Sequence, residues 1–262
     1  MNTPDKRPAF ITGGSSGIGL ALARQLAERG HPVAIFARRP NKLQAAAEAI
    51  GPNVRAYPCD VANRASVEAS VSQAIEELGA PGYAIANAGV AEPGEFLEQR
   101  IDAHEYQMQI NYFGALYFAR ACAVAMPEGA NLVFVGSGSA FFGIYGYGAY
   151  APSKFAVRGL AEVLRVELAP RGISVTLAYP PDTETPMLET EERLKPEATK
   201  LITASGGLWS PEDVARVILK RTDKGRFAVT PGWQMTALLW LHSLLAPGLR
   251  RWQAGIVRKT RK

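Results

Sequence analysis

The sequence predicts an α/β protein, a single doubly wound parallel sheet with helices on both faces. Three observations carry this. Short apolar runs rich in β-branched and aromatic residues alternate with Ala/Leu-periodic stretches along most of the 262 residues, and strands that alternate with helices pair in parallel through crossover connections. The first apolar run leads straight into a glycine-rich turn and then a helix. Two later runs end in Asp60 and in Asn87-Ala88-Gly89, polar and small residues placed where the ligand crevice of such a sheet opens, at the strand carboxyl ends.

Taken in order, Ala9-Phe10-Ile11 predicts the first strand, and a helix follows to about Arg29. Between them lies Thr12-Gly13-Gly14-Ser15-Ser16-Gly17-Ile18-Gly19. Missing side chains let backbone N–H groups approach a pyrophosphate, and the helix N-terminus adds partial positive charge. Gly13, Ser15, Ser16, Gly17, Ile18 and Gly19 are therefore candidate cofactor contacts, although the spacing G-x-x-x-G-x-G departs from the usual G-x-G-x-x-G. Pro32 to Ala37 predicts the second strand, followed by Arg38, Arg39, Pro40, Asn41 and Lys42. An acid at this strand end would bind a ribose 2′-hydroxyl, whereas an arginine pairs with a 2′-phosphate. No acid is present, so Arg38, assisted by Lys42, points to NADP(H) rather than NAD(H).

A helix over 42–50, a strand over 54–58, a helix over 66–78 and a strand over 83–86 continue the pattern. Asp60 is a candidate acceptor for the adenine amino group, and Asn87 and Gly89 let backbone lie close to the cofactor; all three are also ordinary turn residues. A long helix is expected over 102–125, interrupted by Asn111. The strand Leu132 to Val135 then opens into Gly136-Ser137-Gly138-Ser139, and a helix runs from Tyr150 to about Ala169. Tyr150 and Lys154 stand one helical turn apart on one face. A free phenol titrates near about 10, and a cation at about 4 Å in a medium of effective dielectric ~20 is worth about 4 kcal/mol. A partly buried Lys154 is thus expected to lower the Tyr150 phenol towards neutrality and make it a proton-transfer group. The last predicted strand, Ile173 to Ala178, leads into Tyr179-Pro180-Pro181-Asp182-Thr183-Glu184-Thr185-Pro186-Met187.

Composition is that of a globular chain, 47% hydrophobic and 20% charged, with net charge +5. Part of the excess lies in a carboxyl-terminal tail holding Arg250, Arg251, Arg258, Lys259, Arg261 and Lys262, so no nucleic-acid partner is expected. Cys59 and Cys122 have neither metal-ligand spacing nor a disulfide framework; buried positions and a reducing, cytoplasmic compartment are expected. His31, His104 and His242 suggest no metal cluster. Met1 to Pro8 is polar, without the apolar core of an export signal.

The ordered set Thr12-Gly13, Gly17 and Gly19, Asp60, Asn87-Ala88-Gly89, Asn111, Ser137, Tyr150-x-x-x-Lys154 and Pro180 to Thr185 resembles the short-chain dehydrogenase/reductase family over nearly the whole chain. The resemblance implies a Rossmann-like catalytic domain, here residues 1–230, usually in a dimer or tetramer, that moves hydride between a nicotinamide and a carbonyl or alcohol. It implies that Tyr150 donates a proton to the carbonyl oxygen, that Lys154 holds the ribose hydroxyls, that Ser137 (with Ser139 the less favoured candidate) hydrogen-bonds the substrate oxygen, and that Asn111 binds a relay water. Pro180, Thr183 and Thr185 would hold the nicotinamide amide, with Pro181 standing where many relatives have glycine. A narrower resemblance, in Tyr150 to Glu162, Tyr179 to Pro186 and Lys195-Pro196-Glu197, is to the branch that reduces the 3-keto group of long-chain sphingoid bases; other lipophilic ketones (a steroid, a 3-oxoacyl thioester, a retinoid) and a non-catalytic NADPH-binding role are the alternatives. It implies a substrate lid at about 186–209, where Met187, Leu188, Leu194, Leu201 and Ile202 supply apolar surface. The extension 231–262 is apolar from Trp233 to Leu249 and then basic. Peripheral attachment to an anionic membrane and a subunit interface both fit it.

Overall fold

The computed structural model of the chain describes residues 6–204 and 207–260. Met1 to Asp5 of the polar amino terminus, Ser205 in the expected lid, and Arg261 and Lys262 of the basic tail lie outside the described residues. Among the described residues seven parallel strands form one sheet in the order β3-β2-β1-β4-β5-β6-β7. The strands are β1 Ala9–Thr12, β2 Val33–Ala37, β3 Val54–Pro58, β4 Tyr83–Ala86, β5 Asn131–Val135, β6 Ser174–Ala178 and β7 Ala228–Val229. The first six lie where the apolar runs predict them. β7 was not expected, because two residues carry no periodicity; Leu177↔Ala228 and Ala178↔Val229 pairing defines it.

The strand residues sort alternately onto two cores, the period-two geometry of a pleated strand. Phe10, Phe36, Leu132, Phe134 and Leu177 face α3 (Arg64–Leu78), α5 (Gly114–Ala125) and α6 (Tyr150–Glu167). Ile11, Ile35, Ile85, Val133 and Val135 face α1 (Gly17–Glu28), α2 (Pro40–Ile50) and α9 (Pro211–Thr222). Burial on both faces explains why these strands read as continuous apolar runs rather than alternating ones. Cys59 and Cys122 are free and buried, as expected, and burial pushes both thiols up.

The strand order reverses between β1 and β4, so the crevice opens there at the carboxyl ends. The two strand ends are locked together. The Thr12 hydroxyl accepts from Asn87 N at 2.9 Å and Ala88 N at 3.0 Å, and Asn87 Nδ2 donates to Thr12 O at 2.9 Å.

The expected helix over 102–125 is two α-helices, α4 Ile101–Met108 and α5, joined by a π-turn at Gln109–Phe113. Asn111 sits in that turn, buried; such wide turns recur at functional sites because they re-aim one residue without breaking the helix. The lid region forms α7 Pro186–Leu194 and α8 Glu197–Thr203. The extension forms α10 Gly232–Thr260, which continues through Pro247 and takes Arg250 to Lys259 into one helix. Leu238 and Leu239 of α10 pack on the main core. No helix among the described residues is long and apolar enough to cross a membrane.

Candidate active site

The crevice deepens into a cavity of about 450 Å3 between the β-strand ends, α7, α8 and α10. Its floor is the first turn, with Gly13, Ser16, Gly17 and Ile18 lining it. Bare backbone is required there. Gly13 has φ +69°, and a Cβ on it would stand 2.8 Å from Asn87 Nδ2; a Cβ on Gly17, at φ +54°, would stand 2.8 Å from Thr185 Cγ2. Gly19 lies inside α1 with Asn87 Nδ2 2.5 Å from where its Cβ would be. Gly19 and Ser15 therefore shape the turn without lining the cavity. This side-chain-free cradle at a helix N-terminus fits a pyrophosphate.

Asn87 and Gly89 line the next wall, and Pro180, Thr183 and Thr185 the opposite one. Thr183 Oγ1 donates to Pro181 O at 2.9 Å, and Thr185 Oγ1 caps α7 by accepting from Leu188 N at 3.2 Å. Both threonine hydroxyls thus brace the loop they belong to. Arg38, Lys42 and Asp60 stand at or just beyond the carboxyl ends of β2 and β3, away from the cavity. Arg38 and Lys42 are exposed, and Arg38 Nη1 donates to Tyr106 Oη at 3.1 Å. The Asp60 carboxylate accepts from Ala62 N at 3.1 Å, closing its own turn.

Tyr150 and Lys154 are both buried on one face of α6, as their spacing predicts. Lys154 Nζ lies 5.6 Å from the centre of the Tyr150 ring and donates to Val135 O at 3.1 Å. One expectation is corrected. The Tyr150 phenol is pushed up rather than down, by burial first and then by the charge of Glu191, while its hydrogen bond with Ser137 pulls the other way. Lys154 is itself lowered to about 8 by burial. Both groups have lost water, which disfavours the charged form of each, and the lysine donates to a carbonyl rather than to the phenol oxygen. Burial therefore favours the protonated phenol.

Ser137 lines the cavity, as does Ser139. The Ser137 hydroxyl accepts from Ser139 N at 3.2 Å, which orients it. Asn111 does not line the cavity. Its Oδ1 accepts from Val90 N at 2.8 Å, and its Nδ2 donates to Val90 O at 3.0 Å and to Ser153 Oγ at 2.9 Å. Ser153 in turn donates to Tyr150 O at 2.7 Å. With both amide hydrogens used, the Asn111 side chain braces the loop after β4 against the turn that carries Tyr150.

Sequence reading did not single out an acidic group on the lid side. Glu191 of α7 is buried, lines the cavity, and accepts from the Tyr147 hydroxyl. Asp182 also lines the cavity, and its carboxyl is pushed up by burial. Lys195, whose side chain is 0% exposed, stands 3.1 Å from Glu191 and 3.6 Å from Asp182. Tyr147 precedes Tyr150 by one turn, a spacing that could have flagged it. Glu191 gave no such signal, because it lies in a polar run, Glu189 to Arg193, that reads as solvated helix.

The remaining wall is apolar. Met187, Leu188 and Ile202 of the lid and Met235, Leu238, Leu249 and Trp252 of α10 line it. Gln253 pins α10 in place, donating to Gly143 O at 3.1 Å and accepting from Tyr145 N at 3.0 Å. The extension is therefore a wall of the site.

Comparison with known proteins agrees with this geometry. Residues 7–195 match the family model described as short chain dehydrogenase. The chain is 40% identical to the 3-dehydrosphinganine reductase of Danio rerio, covering 87% of this chain and 73% of that protein. It is 34% identical to the 3-ketodihydrosphingosine reductase of Dictyostelium discoideum, covering 91% and 77%. Among solved structures it resembles a short chain dehydrogenase from Burkholderia cenocepacia in complex with NADP, with TM-score 0.77, 27% identity, and coverage of 86% and 95%. The chain belongs to the short-chain dehydrogenase family, oxidoreductases that act between a CH–OH group and a carbonyl.

Proposed function

We propose that this protein reduces the 3-keto group of a long-chain sphingoid base, using NADPH. The carrying observation is the similarity to 3-dehydrosphinganine and 3-ketodihydrosphingosine reductases at 34–40% identity over most of the chain; the apolar lid and α10 wall suit an alkyl chain. Gly13, Gly17 and the α1 N-terminus would hold the pyrophosphate, Lys154 the ribose hydroxyls, and Pro180, Thr183 and Thr185 the nicotinamide amide. When bound, the reduced nicotinamide supplies a hydride to the carbonyl carbon. Ser137 positions the carbonyl oxygen and stabilises the negative charge that develops on it. Tyr150, kept protonated by burial, gives that oxygen its proton, and Lys154 stabilises the phenolate left behind.

The direct test measures cofactor oxidation with purified protein and 3-ketodihydrosphingosine in mixed micelles, beside a medium-chain 3-oxoacyl thioester and a steroid ketone. Selective turnover of the sphingoid ketone is the expected result. Turnover of another ketone alone would keep the chemistry and discard the substrate; silence on all three, with NADPH still bound, would favour a non-catalytic binding role.

The preference for NADP(H) rests on Arg38, just past the end of β2, and Lys42, in the first turn of α2, exposed cations with no acid beside them in the sequence. A charge-assisted contact to phosphate contributes about 1.5–3 kcal/mol. Arg38→Asp is therefore expected to move the NADPH to NADH ratio of kcat/KM by about 10- to 100-fold towards NADH, and an unchanged ratio would remove Arg38 from the assignment.

Membrane contact is supported by the outer side of α10. Trp233, Trp240 and Leu244 are 76%, 78% and 78% exposed, and a groove beside them is lined by Lys220, Arg221 and Lys224 of the α9 end. Aromatic side chains next to cations suit the interface of an anionic bilayer. Trp240→Glu combined with Leu244→Glu is expected to abolish co-flotation with phosphatidylserine vesicles; retained flotation would favour a subunit interface for α10. The outward row Phe155, Val163 and Val166 on α6 is the surface that supports a homodimer or tetramer.

A further inference from the structure

Three carboxylates surround one ammonium at the lid side of the cavity. Lys195 lies within 4 Å of Asp182, Glu191 and Glu192, and its own side chain is 0% exposed, behind the cavity wall. Asp182 and Glu191 reach the cavity itself. The one cation lining that cavity among the described residues is Lys154, which lies under Tyr150 and donates to Val135 O. The space in front of Glu191 therefore faces more carboxylates than ammonium groups, opposite the apolar side chains of the lid and α10, at a real cost in desolvation. Its charge is also felt at the reacting centre: Tyr147 donates to Glu191 and packs its ring 5.5 Å from that of Tyr150.

A second group in the same cavity waits for a partner. Ser139 is 3% exposed, lines the cavity, and its hydroxyl makes no hydrogen bond among the described residues. A buried hydroxyl left unpaired is costly, and a ligand group is a natural means of satisfying it.

We propose that Glu191, with Asp182 beside it, forms a cation subsite that binds the ammonium of an α-amino ketone while Ser139 hydrogen-bonds a neighbouring hydroxyl of the same substrate. This deepens the reading given above and rests on it, because a 3-keto sphingoid base carries an amine at carbon 2 and a hydroxyl at carbon 1. The acid side of the cavity then selects polar-headed ketones over simple long-chain ones. Lys195 keeps the carboxylates oriented and partly neutralised before substrate arrives. Glu191 is a positioning and specificity residue; proton donation stays with Tyr150.

The test compares 3-ketodihydrosphingosine with 1-hydroxyoctadecan-3-one, the same chain without the amine, using wild type and Glu191→Gln. For the variant kcat/KM is expected to fall about 10- to 100-fold further on the amino ketone than on the deamino ketone, the difference carried mainly by KM, whatever loss the two share through Tyr147 and Tyr150. Equal losses on the two ketones would overturn the subsite and leave the reductase assignment standing. A wild type that reduces the deamino or a steroid ketone but not the amino ketone would overturn the substrate reading and the subsite together. Since Glu191 ties Tyr147 to Lys195, Asp182→Asn is the second variant should Glu191→Gln not fold; the same unequal loss is expected, and equal losses again overturn the subsite.

Discussion

Tyr150→Phe is expected to lower kcat by about 100- to 10,000-fold while leaving NADPH affinity within a few-fold of the parent. The phenol ring is buried and packs against Tyr147, so Phe keeps the packing and removes only the hydroxyl. In the proposed reaction that hydroxyl carries the proton the product oxygen needs. Burial and the Glu191 charge push the phenol up, which favours the donor form that this role requires. The measurement is single-turnover cofactor oxidation with ketone in excess, beside direct titration of NADPH binding. Turnover near that of the parent would remove Tyr150 as donor; lost cofactor binding would mean that the substitution disturbs the first turn of α6, which Ser153 and Asn111 brace, rather than chemistry alone.

Removing residues 232–262 is expected to cost more than surface attachment. α10 contributes Met235, Leu238, Leu249 and Trp252 to the cavity wall, and Gln253 ties it to the loop at Gly143 and Tyr145. Uncovering even three methylenes of an alkyl substrate loses about 2.4 kcal/mol, roughly a sixtyfold fall in kcat/KM. The loss should grow with substrate chain length and appear in detergent micelles, where no bilayer is present. A chain-length series for the truncated and full proteins measures this. Equal kcat/KM at every length would mean that α10 serves only a surface or a subunit contact. The Trp240 and Leu244 variants touch the opposite side of the helix and should leave that series unchanged.

Much of this protein could be read before any coordinates. Six strands, the cradle at Gly13 and Gly17, and the pairing of Tyr150 with Lys154 follow from periodicities that the backbone imposes locally: two along a strand, 3.6 along a helix. The wall at Asn87, Gly89, Pro180, Thr183 and Thr185 was legible because it lies in the loops that follow two apolar runs, and parallel strands bring their carboxyl ends to one side. β7 was not legible, since two residues hold no pattern, and its place depends on the free edge of β6. α9 likewise went unread between the lid and β7, although Ser210 caps it and Val214, Ile218 and Leu219 bury its inner face.

What the sequence determined by itself is therefore the sheet, the crevice and the placing of Tyr150 and Lys154 on one helix face, because these depend on neighbours within a turn or a strand. Tertiary structure decided the rest. It set the direction of the Tyr150 shift, which depends on lost solvent and on Glu191, 41 positions away in sequence. It made Asn111 a brace by bringing Val90 and Ser153 to its amide, and it turned the carboxyl-terminal extension into a wall of the cavity. Burial and through-space charge depend on which distant segments meet, and that is fixed only when the chain has folded around the site.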